Sequence, residues 1–162
     1  MSAKIDRLAA GIHETWRALS REQGGWMQPD LDKPFDQLAA SAQEDNRAAA
    51  RRIPDVLAVA GMGVADGTQL ARSDDPSPEQ VATHLERYLE KLSEREHDGW
   101  MEQRLKTGWR HGSKRDDDAK IHPSIVPYGE LSEKEKDKDR SSVRKFPEMV
   151  AMAGHRIVWL KD

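Results

Sequence analysis

The chain has 162 residues, 34% of them charged and 36% hydrophobic, a composition that predicts one thin core or two small ones in place of a single large core. It has no cysteine, which excludes disulfides, thiolate nucleophiles and cysteine-based zinc sites and is compatible with a cytoplasmic address. Residues 1–75 carry 9 Lys and Arg against 12 Asp and Glu, and residues 76–162 carry 17 of each, so neither half has the basic excess that duplex nucleic acid demands, and no run reaches the ~18 apolar residues of a membrane span.

In chain order, the first element is a helix over 3–21, with Ile5, Leu8, Ile12, Trp16 and Leu19 on one stripe. Its opening, MSAKIDRLAAGIHETW, is amphipathic and contains acids, which is not the pattern of a signal peptide. Residues 34–64 then align with 127–157 at a constant offset of 93, with eight of 31 positions identical, among them Pro34/Pro127, Leu38/Leu131, Arg47/Arg140, Pro54/Pro147 and Gly61/Gly154. Upstream, His13-Glu14-Thr15-Trp16 aligns with His97-Asp98-Gly99-Trp100 at an offset of 84, and each is followed by a Gly-Trp pair, Gly25-Trp26 and Gly108-Trp109. The change of offset places nine extra residues in the second copy, within WRHGSKRDDDAKIHPSIVP. Such self-similarity predicts two copies of one unit, each read as helix, loop, helix and short strand. The first is residues 1–64, the second 78–162, and 65–77 is a linker rich in Gly, Asp, Ser and Pro.

The second copy opens with a capping box, Ser77 as N-cap and Gln80 three positions on, with Pro78 in the first turn. This helix is expected to run to about Thr107, where Gly108 stops it. Ser132 and Glu135 form a second capping-box pattern, Pro147 is expected to restart the helix, Gly154 to end it, and residues 155–160 to form a strand.

Five tryptophans against two Phe and two Tyr ask for a use. If the copies are related by a local twofold axis, Trp16 and Trp100 lie on either side of one cleft and clamp a planar ring; plain core packing is the competing reading. His13 and His97, three residues before them, are placed at the rim as hydrogen-bonding groups or as structural histidines. Arg104, one turn after Trp100, is suited to an anionic group. Trp26 and Trp109, after the helix-ending glycines, read as structural plugs. Chemistry by other routes lacks its motifs. His13-Glu14-Thr15-Trp16-Arg17 has Arg where a zinc protease helix needs its second His, Asp116–Asp118 lack the spacing of a calcium loop, and Gly108–Lys114 does not fit a phosphate loop. No cofactor or metal is expected.

IHETWRALSREQGGW at 12–26 and HDGWMEQRLKTGWRHGSKRDDDAKIHPSIVPYGELSEKEKDKDR at 97–140 resemble the ryanodine-receptor repeat, the RyR domain, as it occurs in small soluble bacterial and phage proteins. The second segment carries the Gly-Trp-x-x-Gly turn, the Arg-Asp-Asp loop, the His-Pro, the Val-Pro-Tyr and the Glu-Lys-x-x-Asp-Arg helix. The first lacks the loop. The resemblance implies an α+β, helix-dominated fold of two repeats related by a pseudo-twofold axis, each of helices with a small antiparallel sheet. It also implies a non-enzymatic binding module, since the tandem cleft of the channel proteins is associated with adenine nucleotides and the bacterial domains with nucleotide-derived signals. Arg115 in the Arg-Asp-Asp loop and Tyr128 in the Val-Pro-Tyr turn complete the candidate ligand-binding set of Trp16, Trp100, His13, His97 and Arg104. The alternatives are a protein-interaction module taking a peptide or side chain, and a small-nucleotide hydrolase, for which no nucleophile motif is present.

Overall fold

The computed structural model describes residues 2–160. Five helices dominate: α1 (Ser2–Glu22), α2 (Ala40–Ala58), α3 (Pro78–Arg87), α4 (Leu89–Lys106) and α5 (Glu133–Met152). The four strands are short: β1 (Met62–Ala65), β2 (Arg110–His111), β3 (Ile121–His122) and β4 (Arg156–Trp159). No helix among the described residues is long and apolar enough to cross a membrane.

The periodicities put the apolar stripes inward. Leu8, Ala9 and Ile12 of α1, Ile53, Val56 and Leu57 of α2, Val81 and Leu85 of α3, Leu92 of α4, and Val143, Phe146 and Val150 of α5 form one continuous buried cluster. Of the two expectations, two small cores or one thin one, the two-core alternative is corrected: the buried side chains form a single cluster. Helix α1 packs across α5 and α2 across α4, so both halves bury their stripes in the same core. Gly11 allows the first of these crossings. A Cβ there would lie 2.7 Å from the Met149 carbonyl oxygen, so only glycine lets the two backbones come this close.

The capping box at Ser77 and Gln80 is formed in both directions, and the Ser132 hydroxyl accepts the Glu135 N–H. Two other helix expectations are corrected. The helix from Ser77 does not run unbroken to Thr107, because Tyr88 leaves helical geometry (φ −109°, ψ 18°) and separates α3 from α4. Pro147 does not restart a helix; it lies inside α5, as Pro54 lies inside α2. A proline removes one helical hydrogen bond and crowds the carbonyl four residues back. Buried side chains on both sides of it, Val143 and Phe146 before and Met149 and Val150 after, hold α5 against the core across that defect.

The antiparallel sheet has two strands, β1 from the first half and β4 from the second. It is therefore one sheet completed between the halves, because a single four-residue strand has no partner within its own half. Val64 pairs with Ile157, which the sequence alignment also equates. Further pairs recur at aligned positions. His13 Nε2–H donates to the Lys33 carbonyl at 2.7 Å, and His97 Nε2–H to the Val126 carbonyl at 2.7 Å. Arg47 holds Asp6 and Glu44, and Arg140 holds Glu90 and Asp137. Single 3-10 turns stand at Phe35–Gln37 and at Tyr128–Glu130.

Candidate functional site

Helix α4 presents His97, Trp100 and Arg104 on one face, at i, i+3 and i+7. Gly108, with φ +91°, ends the helix in the left-handed conformation, and the Trp109 N–H returns to the Arg104 carbonyl at 2.9 Å. The turn brings Trp109 back over Arg104. The guanidinium carbon of Arg104 lies 5.7 Å from the Trp100 ring centre and 5.1 Å from that of Trp109, a cation–π contact with both indoles. The chain then runs through β2 and the charged loop to β3, which returns His122 to the edge of Trp100, with ring centres 5.1 Å apart. Helix α5 adds Glu135, Lys138 and Asp139, again one helical face.

These groups line a cavity of about 380 Å³ whose walls include His97, Trp100, Arg104, Trp109, Arg115 and His122, with Asp45 contributed by α2. The volume falls in the range of small-molecule sites. A larger cavity of about 570 Å³ lies between the 69–75 loop and the β1–β4 sheet, with Trp159 as its single aromatic ring, and none of the candidate residues faces it.

The cations around the first cavity are partnered: Arg104 with Asp45 at 3.8 Å, Arg115 with Asp117 at 2.7 Å, Lys138 with Glu135 at 3.2 Å. Burial pushes Glu135 upward, but hydrogen bonds from Lys138 and Ser124 hold it below the usual carboxylate range. Burial, together with Arg115 and Arg104, holds His122 below the ordinary imidazole value, which keeps the ring neutral at pH 7. Asp139 is pushed up to about 7, first by burial and then by the charge of Glu96. Its Oδ2 lies 3.6 Å from His97 Nδ1. Among the described residues, no group of three or more His, Cys, Asp and Glu is placed to hold a metal ion.

The candidate residues divide. His97, Trp100, Arg104 and Arg115 meet in the cavity. Tyr128 is buried behind His97, with ring centres 6.2 Å apart, and donates its hydroxyl to Glu90; burial and that bond raise it to about 12. His13 and Trp16 are not brought there. Trp16 packs half-buried against the central core, and His13 is enclosed on the Lys33 carbonyl. The indole that joins Trp100 around Arg104 is Trp109, read from sequence as a plug. The first half has Ser20 where the second has Arg104, and Ser20 is buried, accepting the Met27 N–H at 2.8 Å. Its shorter loop therefore closes over the position that the longer loop leaves open. Trp26, also read as a plug, is half exposed and donates its Nε1–H to Gln23; the segment that brings His122 against Trp109 is nine residues longer than its counterpart in the first half. Trp109, His122, Lys138 and Asp139 are functional candidates that the sequence reading missed. The Gly-Trp and His-Pro motifs pointed at the first two, and helical spacing from Ser132 pointed at the last two.

A comparison with protein families matches the RyR domain to residues 75–158, a little over half of the chain. That span contains every residue lining the cavity except Asp45.

Proposed function

Because the chain belongs to the RyR domain family, we propose that it is a ligand-binding module without catalytic turnover, and that it takes a nucleotide or nucleotide-derived signal in the cavity beside Trp100. The observation that carries this reading is the grouping of two indoles, a neutral imidazole and three basic side chains around one open volume. Indole faces take a planar base by stacking, worth ~1–3 kcal/mol per ring. Arg104, Arg115 and Lys138 then meet the anionic group, exchanging their present carboxylate partners for phosphate oxygens. The cleft expected between Trp16 and Trp100 is replaced in this proposal by the Trp100–Trp109 side of the second half.

The test is calorimetric titration with nucleoside monophosphates and the corresponding nucleosides. Trp100→Ala and Trp109→Ala are each expected to weaken binding about 10–100-fold, and Arg104→Ala to weaken the phosphorylated ligand more than its nucleoside. Equal affinities in wild type and Trp100→Ala would overturn the assignment. Appearance of hydrolysed product would favour the enzymatic reading. The protein-interaction reading has its own support in Arg104: a guanidinium already contacts both indoles, and a partner's arginine would use the same contacts. Tight binding of an Arg-bearing peptide, with no nucleotide bound, selects that reading.

A further inference from the structure

Asp139 is the one carboxylate of the cavity with neither a hydrogen-bond donor nor a Lys or Arg partner among the described residues. Its side chain is 17% exposed. The other three are each held by a cation: Asp45 by Arg104, Asp117 by Arg115, Glu135 by Lys138. The groups that surround Asp139 are committed elsewhere. His97 gives its Nε2–H to the Val126 carbonyl, and its remaining nitrogen stands at 3.6 Å, beyond hydrogen-bond reach. Arg52 is engaged by Glu96 through two bonds of 3.0 and 3.2 Å. Lys138 is turned to Glu135. The aligned position of the first half is Asn46, whose amide donates to its own helix at the Ala42 carbonyl.

A carboxylate so placed has acceptor capacity on two oxygens in one plane, and none of the described residues donates a hydrogen bond to it. An ionised carboxylate accepts two parallel N–H bonds as a fork. We propose that Asp139 reads the edge of the bound ring and selects one presenting two adjacent N–H donors, the edge of a guanine, over one presenting a ring-nitrogen acceptor there. The ring lies against the indoles, its donor edge on Asp139 and its phosphate toward Arg104, Arg115 and Lys138. An adenine in that position sets its N1 lone pair against the carboxylate. The inference rests on the nucleotide reading of the cavity.

The experiment compares GMP, inosine monophosphate and AMP by calorimetry on the full chain at pH 8, with Glu96, Arg52, His97, Glu135 and Lys138 left unchanged around Asp139. Wild type is expected to bind GMP best, inosine monophosphate about tenfold more weakly for its missing amino group, and AMP about 100-fold more weakly. Asp139→Asn, whose amide both donates and accepts, is expected to bring AMP level with GMP or above it. The asparagine at the aligned position of α2 shows that such a helix accommodates the substitution, and the wild-type ranking tests the proposal without any variant. AMP bound as tightly as GMP by wild type, with both dependent on Trp100, overturns the Asp139 assignment and leaves the nucleotide reading standing. Failure of all three nucleotides to bind overturns both.

Discussion

Asp139 also leaves a signature in the stability of the ligand-free protein. Its carboxyl is raised to about 7, against about 3.9 in an unfolded chain. Between these values the folded state holds a proton that the unfolded state has released, so this group's contribution to stability falls as pH rises from about 4 to about 7. His122 and His155 are lowered by burial and work in the opposite sense, since the unfolded chain binds their protons more readily near pH 6.5. The difference between wild type and Asp139→Asn isolates the carboxylate. The variant should gain on wild type across this window, with a limiting slope of ~1.4 kcal/mol per pH unit, and the gap should then stay level. Denaturant unfolding at a series of pH values measures it, and parallel curves would show that Asp139 titrates normally. The residue was hard to recognise in the sequence because EKEKDKDR reads as a solvated charge run. What distinguishes Asp139 is position: it is on the turn of α5 that faces α4, where neighbouring acids and bases pair with each other and leave it out.

At the scale of elements, local chemistry was legible wherever a side chain acts on its own backbone. The Ser77–Gln80 box, the Ser132 cap, and the helix-ending turns at Gly108 and Gly154, with φ of +91° and +78°, follow from residue types at fixed spacing. Pro147 and Tyr88 show the limit of that reading, because packing from other elements decides whether a helix crosses a proline or breaks without one. Trp109 shows the same limit in the site: the local turn at Gly108 sets it on Arg104, but its second partner, His122, arrives only with the return of β3. The crossing of α1 over α5 offers a test of how tightly elements are fitted. Gly11→Ala would put a methyl against the Met149 carbonyl, a backbone atom that moves only if α5 moves. A loss of about 1–3 kcal/mol is expected, although alanine is the better helix former by ~1 kcal/mol. A variant as stable as wild type in thermal unfolding would mean that the two helices separate freely.

On the scale of the whole molecule, the two halves are bound by a core that neither owns. Leu8, Ile12, Ile53 and Leu57 from the first half and Leu92, Val143, Phe146 and Val150 from the second belong to one cluster. The Arg52–Glu96 ion pair joins α2 to α4 with both side chains at most 15% exposed, and β1 pairs with β4 across the halves. The cavity follows the same rule, since Asp45 of α2 holds Arg104 of α4. Residues 77–160 produced alone would keep the N-caps at Ser77 and Ser132 and the cavity loop but expose the apolar faces of α3, α4 and α5. Removing even one large core side chain costs ~2–5 kcal/mol, against a total stability of ~5–15 kcal/mol for a domain. The isolated second half should therefore lack a cooperative thermal transition, bind a hydrophobic dye, and recover a sharp transition when residues 1–64 are supplied as a separate chain. Near-ultraviolet circular dichroism of the tryptophans follows the recovery, because Trp100 and Trp109 take fixed surroundings only when α4 is held between α2 and α5. A second half that melts cooperatively by itself would show that its own side chains close a sufficient core, and the contacts across the halves would then be docking between two independent units.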